Sequence, residues 1–486
     1  MKRILLLLTA TICCLNIISA ESLTASKPNI IFVITDDQGM GDLSCMGNKL
    51  VKTPHIDKFY EGATRLTEYH VSPTCAPTRA AIMSGQFAFK TGVTHTILQR
   101  ERMSLDIFTL PQALQSAGYQ TGLFGKWHLG DEEEYLPQSR GFDEVIMHGA
   151  GGIGQSQYGD FPVNEENCYF DNILLHNDTV VKTKGFCTDL FFDAGLAWIK
   201  KQHEAKQPYF AYISLNAPHG PFIAPEENIK KLNERGCHGK GAARLGMVEN
   251  VDDNFGNLMA HLEKWNALEN TIVIFTTDNG AVRLGDTKEI PYFNAGLKSG
   301  KNSPNEGGSH VPFFIQWKGV LEAGVNINGL SAHIDLYKTF SELAGAELPK
   351  EMQGLDGRSW VPLFENAKTK WADRELFFNC GRWPEGKRAD FKHKKCAVRT
   401  QQWRLVNNKE LYDISKDPGE QKNVAKEHPE VVAKLQESYN QWWESTLPLM
   451  VNEGLAPVAP EDHHFNKLYK KQLAGGKGIP EWSPSL

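Results

Sequence analysis

The stretch Asn29-Ile30-Ile31-Phe32-Val33-Ile34-Thr35-Asp36-Asp37-Gln38-Gly39 decides how the rest of the chain is read. A continuous apolar run of this length, without polar alternation, reads as a strand buried on both faces, as in a parallel sheet. Two carboxylates stand at its C-terminal end, and open α/β sheets bind ligands outside that edge. The pattern returns at Thr271-Ile272-Val273-Ile274-Phe275-Thr276-Thr277-Asp278-Asn279-Gly280. Placed side by side, the two ends would gather Asp36, Asp37, Asp278 and Asn279. Such hard oxygens suit calcium or magnesium and are poor for zinc. A single strand followed by two aspartates also occurs as an ordinary turn; the second copy makes it a candidate site.

Outward from these two strands the alternation continues. Residues 110–118 read as a helix closing at Gly118. A short strand at 120–124 leads into Gly125-Lys126-Trp127-His128-Leu129-Gly130. Residues 187–201 form an amphipathic helix. A buried strand at 209–215 leads into Asn216-Ala217-Pro218-His219-Gly220-Pro221. A long helix at 247–264 precedes the Asp278 strand, and 311–317 is again strand-like. The fold class expected is α/β, a large mainly parallel mixed sheet sandwiched by helices. The glycine-rich run 149–154 follows no clear strand and opens no clear helix, so it is not read as a dinucleotide loop. Residues 375–379, 396–406 and 409–414 read as antiparallel strands, the last two joined at Asn407-Asn408, and 429–443 as a helix. The division expected is a catalytic domain at 21–370 and a smaller α+β domain at 371–486.

The first twenty residues differ from the rest. Lys2 and Arg3 precede an apolar run, and Ile18-Ser19-Ala20 ends in a small-residue cleavage pattern. This predicts a signal peptide over 1–20 and a secreted or periplasmic protein. No later stretch reaches about 18 consecutive apolar residues, so no membrane span is expected in the mature chain. The 486 residues, 41% hydrophobic and 23% charged, describe an ordinary globular protein. A net charge of -6 gives no reason to expect nucleic acid. Of nine cysteines, Cys13 and Cys14 leave with the signal; Cys45, Cys75, Cys168, Cys187, Cys237, Cys380 and Cys396 remain. Export permits disulfides, Cys168 with Cys187 being one possible pairing, and an odd count leaves at least one thiol out. No Cys/His spacing suggests structural zinc.

That odd thiol is expected to be Cys75, in Ser72-Pro73-Thr74-Cys75-Ala76-Pro77-Thr78-Arg79-Ala80-Ala81-Ile82-Met83-Ser84-Gly85. Pro77 suits a first helical turn and Gly85 a helix stop. Cys75 then sits at or just before a helix N-terminus, where free N–H groups and the dipole attract anions. Arg79, one turn on, can reach back toward it. A cysteine so placed is expected to be activated; taken alone, the stretch also fits a half-cystine or a small buried side chain. Around the same sheet edge, segments after strands deliver Lys126, His128, His219 and Lys301. With Arg79 these are three cations and two histidines beside an oxygen-rich cation site, suited to a small anion.

Cys75-Ala76-Pro77-Thr78-Arg79 resembles the Cys-x-Pro-Ser/Thr-Arg signature of the type I, formylglycine-dependent sulfatases of the alkaline-phosphatase superfamily, and the chain is arylsulfatase-like. The likeness extends through 28–39, 75–92, 125–130, 216–221, 276–280, 300–312 and 403–425. It implies an alkaline-phosphatase-like fold. It implies that a sulfatase-maturing (formylglycine-generating) enzyme oxidises Cys75 to formylglycine (3-oxoalanine) before folding. It also implies one calcium ion bound by Asp36, Asp37, Asp278, Asn279 and the modified Cys75. The hydrate of the aldehyde would attack sulfur and form a covalent sulfated intermediate. Lys126 and Lys301 would stabilise the sulfate oxygens, and His219 would protonate the leaving alcohol. His128 would help expel sulfate, and Arg79 would orient the hydrate. The substrate expected is a sulfated carbohydrate or aryl sulfate.

The family more often has an arginine just before Val311-Pro312, where this chain has Ser309-His310, so His310 is assigned no chemistry. His333 resembles a recurrent structural histidine. Asn177-Asp178-Thr179 is a glycosylation sequon. Two other readings are a phosphate or phosphonate ester hydrolase, whose relatives use Ser or Thr and two zinc ions, and an inactive glycan-binding relative with unmodified Cys75. Substrate choice is expected from loops such as 149–160 and 382–395. There Lys387, Arg388, Lys392, Lys394 and Lys395 could meet a polyanionic sugar or form a solvated face. Trp383 could stack on a sugar or simply pack.

Overall fold

A computed structural model describes residues 22–164, 168–285, 292–352 and 354–485; the expected signal peptide lies outside them. Ten strands form one sheet, and its five central strands are parallel. In spatial order these are Thr271–Thr277, Asn29–Thr35, Tyr209–Ser214, Gln120–Lys126 and Glu144–His148. On one side Phe313–Trp317 joins antiparallel to Thr271–Thr277, and on the other Ile173–His176 joins antiparallel to Glu144–His148. The sheet is therefore mixed, parallel in the middle and flanked by antiparallel pairs, with edge strand Asn326–Ile327 again parallel to Thr64–Leu66.

The apolar run that opens the fold is buried on both faces. Ile30, Phe32 and Ile34 belong to one hydrophobic core, and Ile31 and Val33 to the other. Alternate side chains of a strand point to opposite faces, so one uninterrupted run feeds both layers. Helices Leu110–Ser116 and Asp335–Ala344 contribute to the first core, and Cys187–Glu204 and Gly239–Lys264 to the second. The last of these starts eight residues before the position read from sequence. Its added first turns bury Arg244 against Asp42.

The smaller sheet runs Leu376–Asn379, Cys396–Arg399, Trp403–Val406, Glu410–Asp413, antiparallel throughout. The single strand expected over 396–406 is in fact two. Thr400 Oγ1 accepts from the Trp403 N–H at 2.9 Å, and the Thr400 N–H donates to the Trp403 carbonyl at 2.8 Å. The hydroxyl offers the backbone a local turn in place of continued extension. Asn407 and Asn408 have φ of 50° and 57°, the left-handed pair that closes a two-residue hairpin. Helix Pro429–Thr446 packs on this sheet. Beyond it the chain returns to the large sheet, where Phe465 meets Phe161 at 4.9 Å and Gln472 bonds both N–H and carbonyl of Val180.

All seven described cysteines are free, so Cys168 and Cys187 are not bridged. No described helix is long and apolar enough to cross a membrane.

Candidate active site

Strand register builds the site. Thr35 pairs with Thr277 in the parallel ladder, so the next two residues of each chain segment emerge together: Asp36 beside Asp278, Asp37 beside Asn279. The Asp37 N–H donates to Asp278 Oδ1 at 3.2 Å, and Asn279 Nδ2 donates to Asp37 Oδ1 at 2.8 Å. On the other flank Gly125 pairs with Ser214, which carries Lys126 to the same edge. Gly125 has φ of 117°, and a Cβ there would fall 2.0 Å from the Ser214 carbonyl oxygen; only glycine permits the turn that aims Lys126 inward. Lys126 Nζ donates to Asp36 Oδ2 at 2.6 Å, both side chains fully buried. Lys301 arrives from a second glycine-rich stretch, 296–308, and reaches Asp37 Oδ1 at 2.6 Å.

Cys75 is the first residue of helix Cys75–Ser84, after Thr74 in extended conformation, and Gly85 ends the helix left-handed. Its Sγ and one oxygen each of Asp36 and Asp278 lie within 4.8 Å of one another. Arg79 does not donate to Cys75, as the sequence suggested. Its Nε and Nη2 donate to Asp278 Oδ2 at 3.0 and 2.8 Å, and Nη1 reaches Ser214 Oγ and the Lys126 carbonyl. It sets the carboxylate and touches the thiol only through its field.

The two histidines are oriented by backbone oxygens. His128 Nε2 lies 2.8 Å from the Thr96 carbonyl, which fixes the proton there and leaves Nδ1 as a bare, buried acceptor. His219 Nδ1 lies 2.6 Å from the Gly220 carbonyl, and its Nε2 faces Asp37 at 3.8 Å. Both rings rest against the glycine run 149–154. A Cβ on Gly151 would fall 2.4 Å from His128 Nε2, and one on Gly152 3.3 Å from His219. Two acids tie that run down: buried Asp160 accepts from the N–H of Gly149 (3.0 Å) and Gly154 (2.6 Å), and half-buried Asp131 from that of Ala150 (2.8 Å).

Comparison with known proteins gives the family. Residues 28–346 match the family model described as Sulfatase, and 302–444 that described as N-sulphoglucosamine sulphohydrolase, C-terminal. The chain belongs to the sulfatase family. It is 28% identical to N-acetylgalactosamine-6-sulfatase of Rattus norvegicus over 76% of this chain and 72% of that one. It is 27% identical to an uncharacterized sulfatase of Schizosaccharomyces pombe over 85% and 92%. Among solved structures, Ps i-CgsB in complex with k-i-k-neocarrahexaose superposes with a TM-score of 0.76, at 27% identity over 93% and 98% of the two chains. This sulfatase is a sulfuric ester hydrolase of the alkaline-phosphatase-like superfamily.

In the sulfatase the charges of the site balance: Asp36, Asp37 and Asp278 against Arg79, Lys126 and Lys301. Burial pushes Asp278 up to about 6, reinforced by Asp36 and opposed by Arg79 and Lys126. Asp37 is held low despite its burial, because Lys301, His219 and Asn279 surround it. The thiol of Cys75 departs from the activated cysteine expected from sequence. Its burial pushes the pKa up and the neighbouring Asp36 and Asp278 push the same way, against Lys126 and Lys301. Burial thus works against the activation expected of a cysteine at a helix start, and Lys126 and Lys301 work for it. His219 is pushed down to about 4, first by burial and then by Lys301.

The donor set fits a hard cation. Asp36 Oδ1 and Asn279 Oδ1 are buried without a hydrogen-bond partner, although buried oxygens are rarely left so. With Asp37 and Asp278 they make an all-oxygen set, right for calcium. The site is legible in the sequence except for what steadies it: Ser214, the Thr96 carbonyl, the Gly151–Gly152 contact and the Asp131 and Asp160 anchors. None carries a local sequence signal.

The surface candidates fare differently. Trp383 is buried, with its indole N–H on Glu453, and packs against Phe89 and Trp443, so it cannot stack on a sugar. Lys392 pairs with Glu444, and Lys394 lies over Phe391. His310 pairs with Glu306 at 2.9 Å, and His333 Nε2 is 3.0 Å from Ser72 Oγ; both are structural. A cleft of about 510 Å³ beside Arg358 and Arg374 shares none of the active-site residues.

Proposed function

We propose that this protein is a secreted or periplasmic, calcium-dependent carbohydrate sulfatase whose Cys75 is converted to formylglycine. The observation that carries the reading is the cluster itself: orphaned oxygens of Asp36 and Asn279, with Asp37 and Asp278, beside the Cys75 side chain and facing Lys126 and Lys301. The carbohydrate substrate class rests on the relatives named above.

Bound calcium would supply charge to hold a sulfate oxygen and to acidify a hydroxyl beside it. The side chain converted from Cys75 would supply, as an aldehyde hydrate, two hydroxyls on one carbon, one to take the sulfuryl group and one to expel it. The site's own charges cancel, so a divalent cation leaves two positive charges in excess, a match for an anionic ester. Lys126 and Lys301, already aimed at this point, meet the equatorial oxygens of the transferring group, where charge spreads. His219, with Nδ1–H fixed on the Gly220 carbonyl, would deliver a proton from Nε2 to the leaving oxygen in its imidazolium form, which an anionic ester beside it favours. His128 offers its bare Nδ1 as proton acceptor for the second step. Arg79 acts through Asp278. Cys75 is 2% exposed, which fits a maturation enzyme that reads 75–79 before the chain folds.

The test is direct. Protein co-produced with a maturation enzyme is assayed for sulfate release from a panel of sulfated mono- and oligosaccharides, before and after calcium chelation. The peptide spanning residues 66–79 is weighed in parallel. Expected are release, its loss on chelation and recovery with calcium, and replacement of CH2SH by CHO at position 75. Activity with intact sulfur at position 75, or faster turnover of nitrophenyl phosphate than nitrophenyl sulfate, would refute the reading.

A further inference from the structure

A second cleft, of about 200 Å³, opens between the 94–100 loop and the C-terminal segments 382–385 and 453–457. It shares a wall with the active site. The Thr96 carbonyl that orients His128 belongs to this loop, and the neighbouring residue His95 lines the cleft. Consecutive Cα atoms lie about 3.8 Å apart, so the cleft starts one residue from the active site. The Arg382 N–H donates to the Thr94 carbonyl at 3.0 Å, which clamps the far side to the same loop.

The groups facing the cleft are of two kinds. Arg100 is saturated: it pairs with Glu453 at 2.9 Å, donates to the Trp383 carbonyl at 2.7 Å and stacks on the Trp383 ring. It forms the floor. Arg382 is not. Among the described residues no carboxylate lies within ion-pair distance of its guanidinium, and only its backbone is engaged. His95 is 8% exposed, and its Nδ1 accepts from the N–H of Thr96 (2.8 Å) and Ile97 (3.2 Å). That assigns the proton to Nε2, a neutral donor; burial, Arg100 and Arg382 keep the ring uncharged by lowering its pKa to about 3. Leu98 and Leu455, each 39% exposed, and Pro457 add an apolar rim. Glu385 stands on the Arg100 side.

We infer that this cleft is an accessory sugar subsite that takes the residue next to the one losing its sulfate, with Arg382 and His95 holding an anionic substituent, sulfate or carboxylate, on it. A free guanidinium fork matches the planar edge of either group. The Nε2–H of His95 supplies a further donor, the apolar rim takes the sugar face, and Glu385 accepts a hydroxyl. The volume is below that of whole-ligand sites, as a subsite for one ring requires. This rests on the carbohydrate reading above and adds which neighbour the substrate carries.

The test uses matured full-length enzyme and size-defined tetra- and hexasaccharides of carrageenan, chondroitin sulfate and heparan sulfate. Binding is measured by calorimetry at 50 and 300 mM salt for the parent, R382M, R382Q and H95Q, and for K201M, on the exposed face of helix Cys187–Glu204, as a control; circular dichroism verifies folding. Expected is at least tenfold weaker binding of one oligosaccharide class in both Arg382 variants, with a flatter salt dependence. A smaller loss is expected in H95Q and none in K201M. Unchanged binding in R382M and R382Q, or no binding of any class to the parent, overturns the subsite. Sulfate release from the same panel separates the two readings: binding that depends on Arg382 without any release refutes the sulfatase assignment of substrate and leaves the subsite standing. Release that ignores Arg382 does the reverse.

Discussion

Gly151 lies so close under His128 that a Cβ on it would stand 2.4 Å from Nε2 and 2.5 Å from Cε1 of the ring. The ring cannot move away freely, because Nε2 is also bound to the Thr96 carbonyl. Gly151→Ala is therefore expected to displace the imidazole and lower kcat about 100-fold, the cost of roughly 1 Å of misplacement. Gly152→Ala, whose nearest contacts are 3.1 Å at Gln155 and 3.3 Å at His219, should cost less than 10-fold by the same reasoning. Steady-state kinetics on both variants, with melting curves, checks the order; equal losses would remove the contact from the explanation.

Arg79 and Asp278 form a buried pair, 1% and 0% exposed, with two donors on one oxygen. Lysine cannot reproduce that fork. In the proposed calcium site, Arg79→Lys should weaken calcium binding about 10- to 100-fold, as loss of a group that orients a metal ligand does. Titration calorimetry with calcium reads this without any turnover. An unchanged affinity would mean that Asp278 keeps its place without the arginine.

Glu306 links the two sheets. It accepts from Arg404 at 2.6 Å and Arg399 at 3.0 Å in the small sheet, and lies 3.2 Å from His70 beside the large one. All of these side chains are buried. Glu306→Gln leaves two buried guanidinium groups undercompensated, and a broken buried pair typically costs about 3–5 kcal/mol. Denaturant unfolding is expected to show a loss of that size, with the small sheet released first. A change under about 1 kcal/mol would mean that the arginines find enough in Glu68 and the Pro304 carbonyl.

His333 is buried, and its pKa is lowered to about 3, by burial first and Arg374 second. Below about pH 6.5 the unfolded chain binds a proton there and the folded chain does not. Stability contributed at this site is thus complete above the unfolded pKa and is lost as pH falls from about 6.5 toward 3. His333→Gln removes the effect. Relative to the parent, the variant should gain about 1.4 kcal/mol for each pH unit of acidification across that window. Paired denaturation curves at pH 7.5, 6 and 5 measure the difference; a constant gap would show that the ring is protonated when folded.

Much of this fold is legible in short stretches of sequence. The runs Ile30–Ile34 and Ile272–Phe275 carry their burial in their composition. Pro77 and Gly85 bracket a helix, and Asn407-Asn408 close a hairpin, because φ preference is a local property. The splitting of 396–406 is not legible in this way, since Thr400-Gln401-Gln402 turns only once its hydroxyl finds the Trp403 N–H. Sequence leaves Trp383 open between a sugar and a core, and only its neighbours close the question.

The sequence by itself determined that Ile30–Ile34 and Ile272–Phe275 lie in buried strands, that acids and amides end both, and that the signature Cys75–Arg79 opens a helix. It determined these because backbone preference and hydrophobic period act over a few residues. Tertiary structure alone decided that Thr35 pairs with Thr277, which sets Asp36 beside Asp278 across 241 residues separating the Asp37 N–H from its acceptor. It also decided that Arg79 serves Asp278 and that burial pushes the Cys75 thiol up. Partners and desolvation belong to the assembled interior, where a charge is governed by what surrounds it in space and not by what stands next to it in the chain.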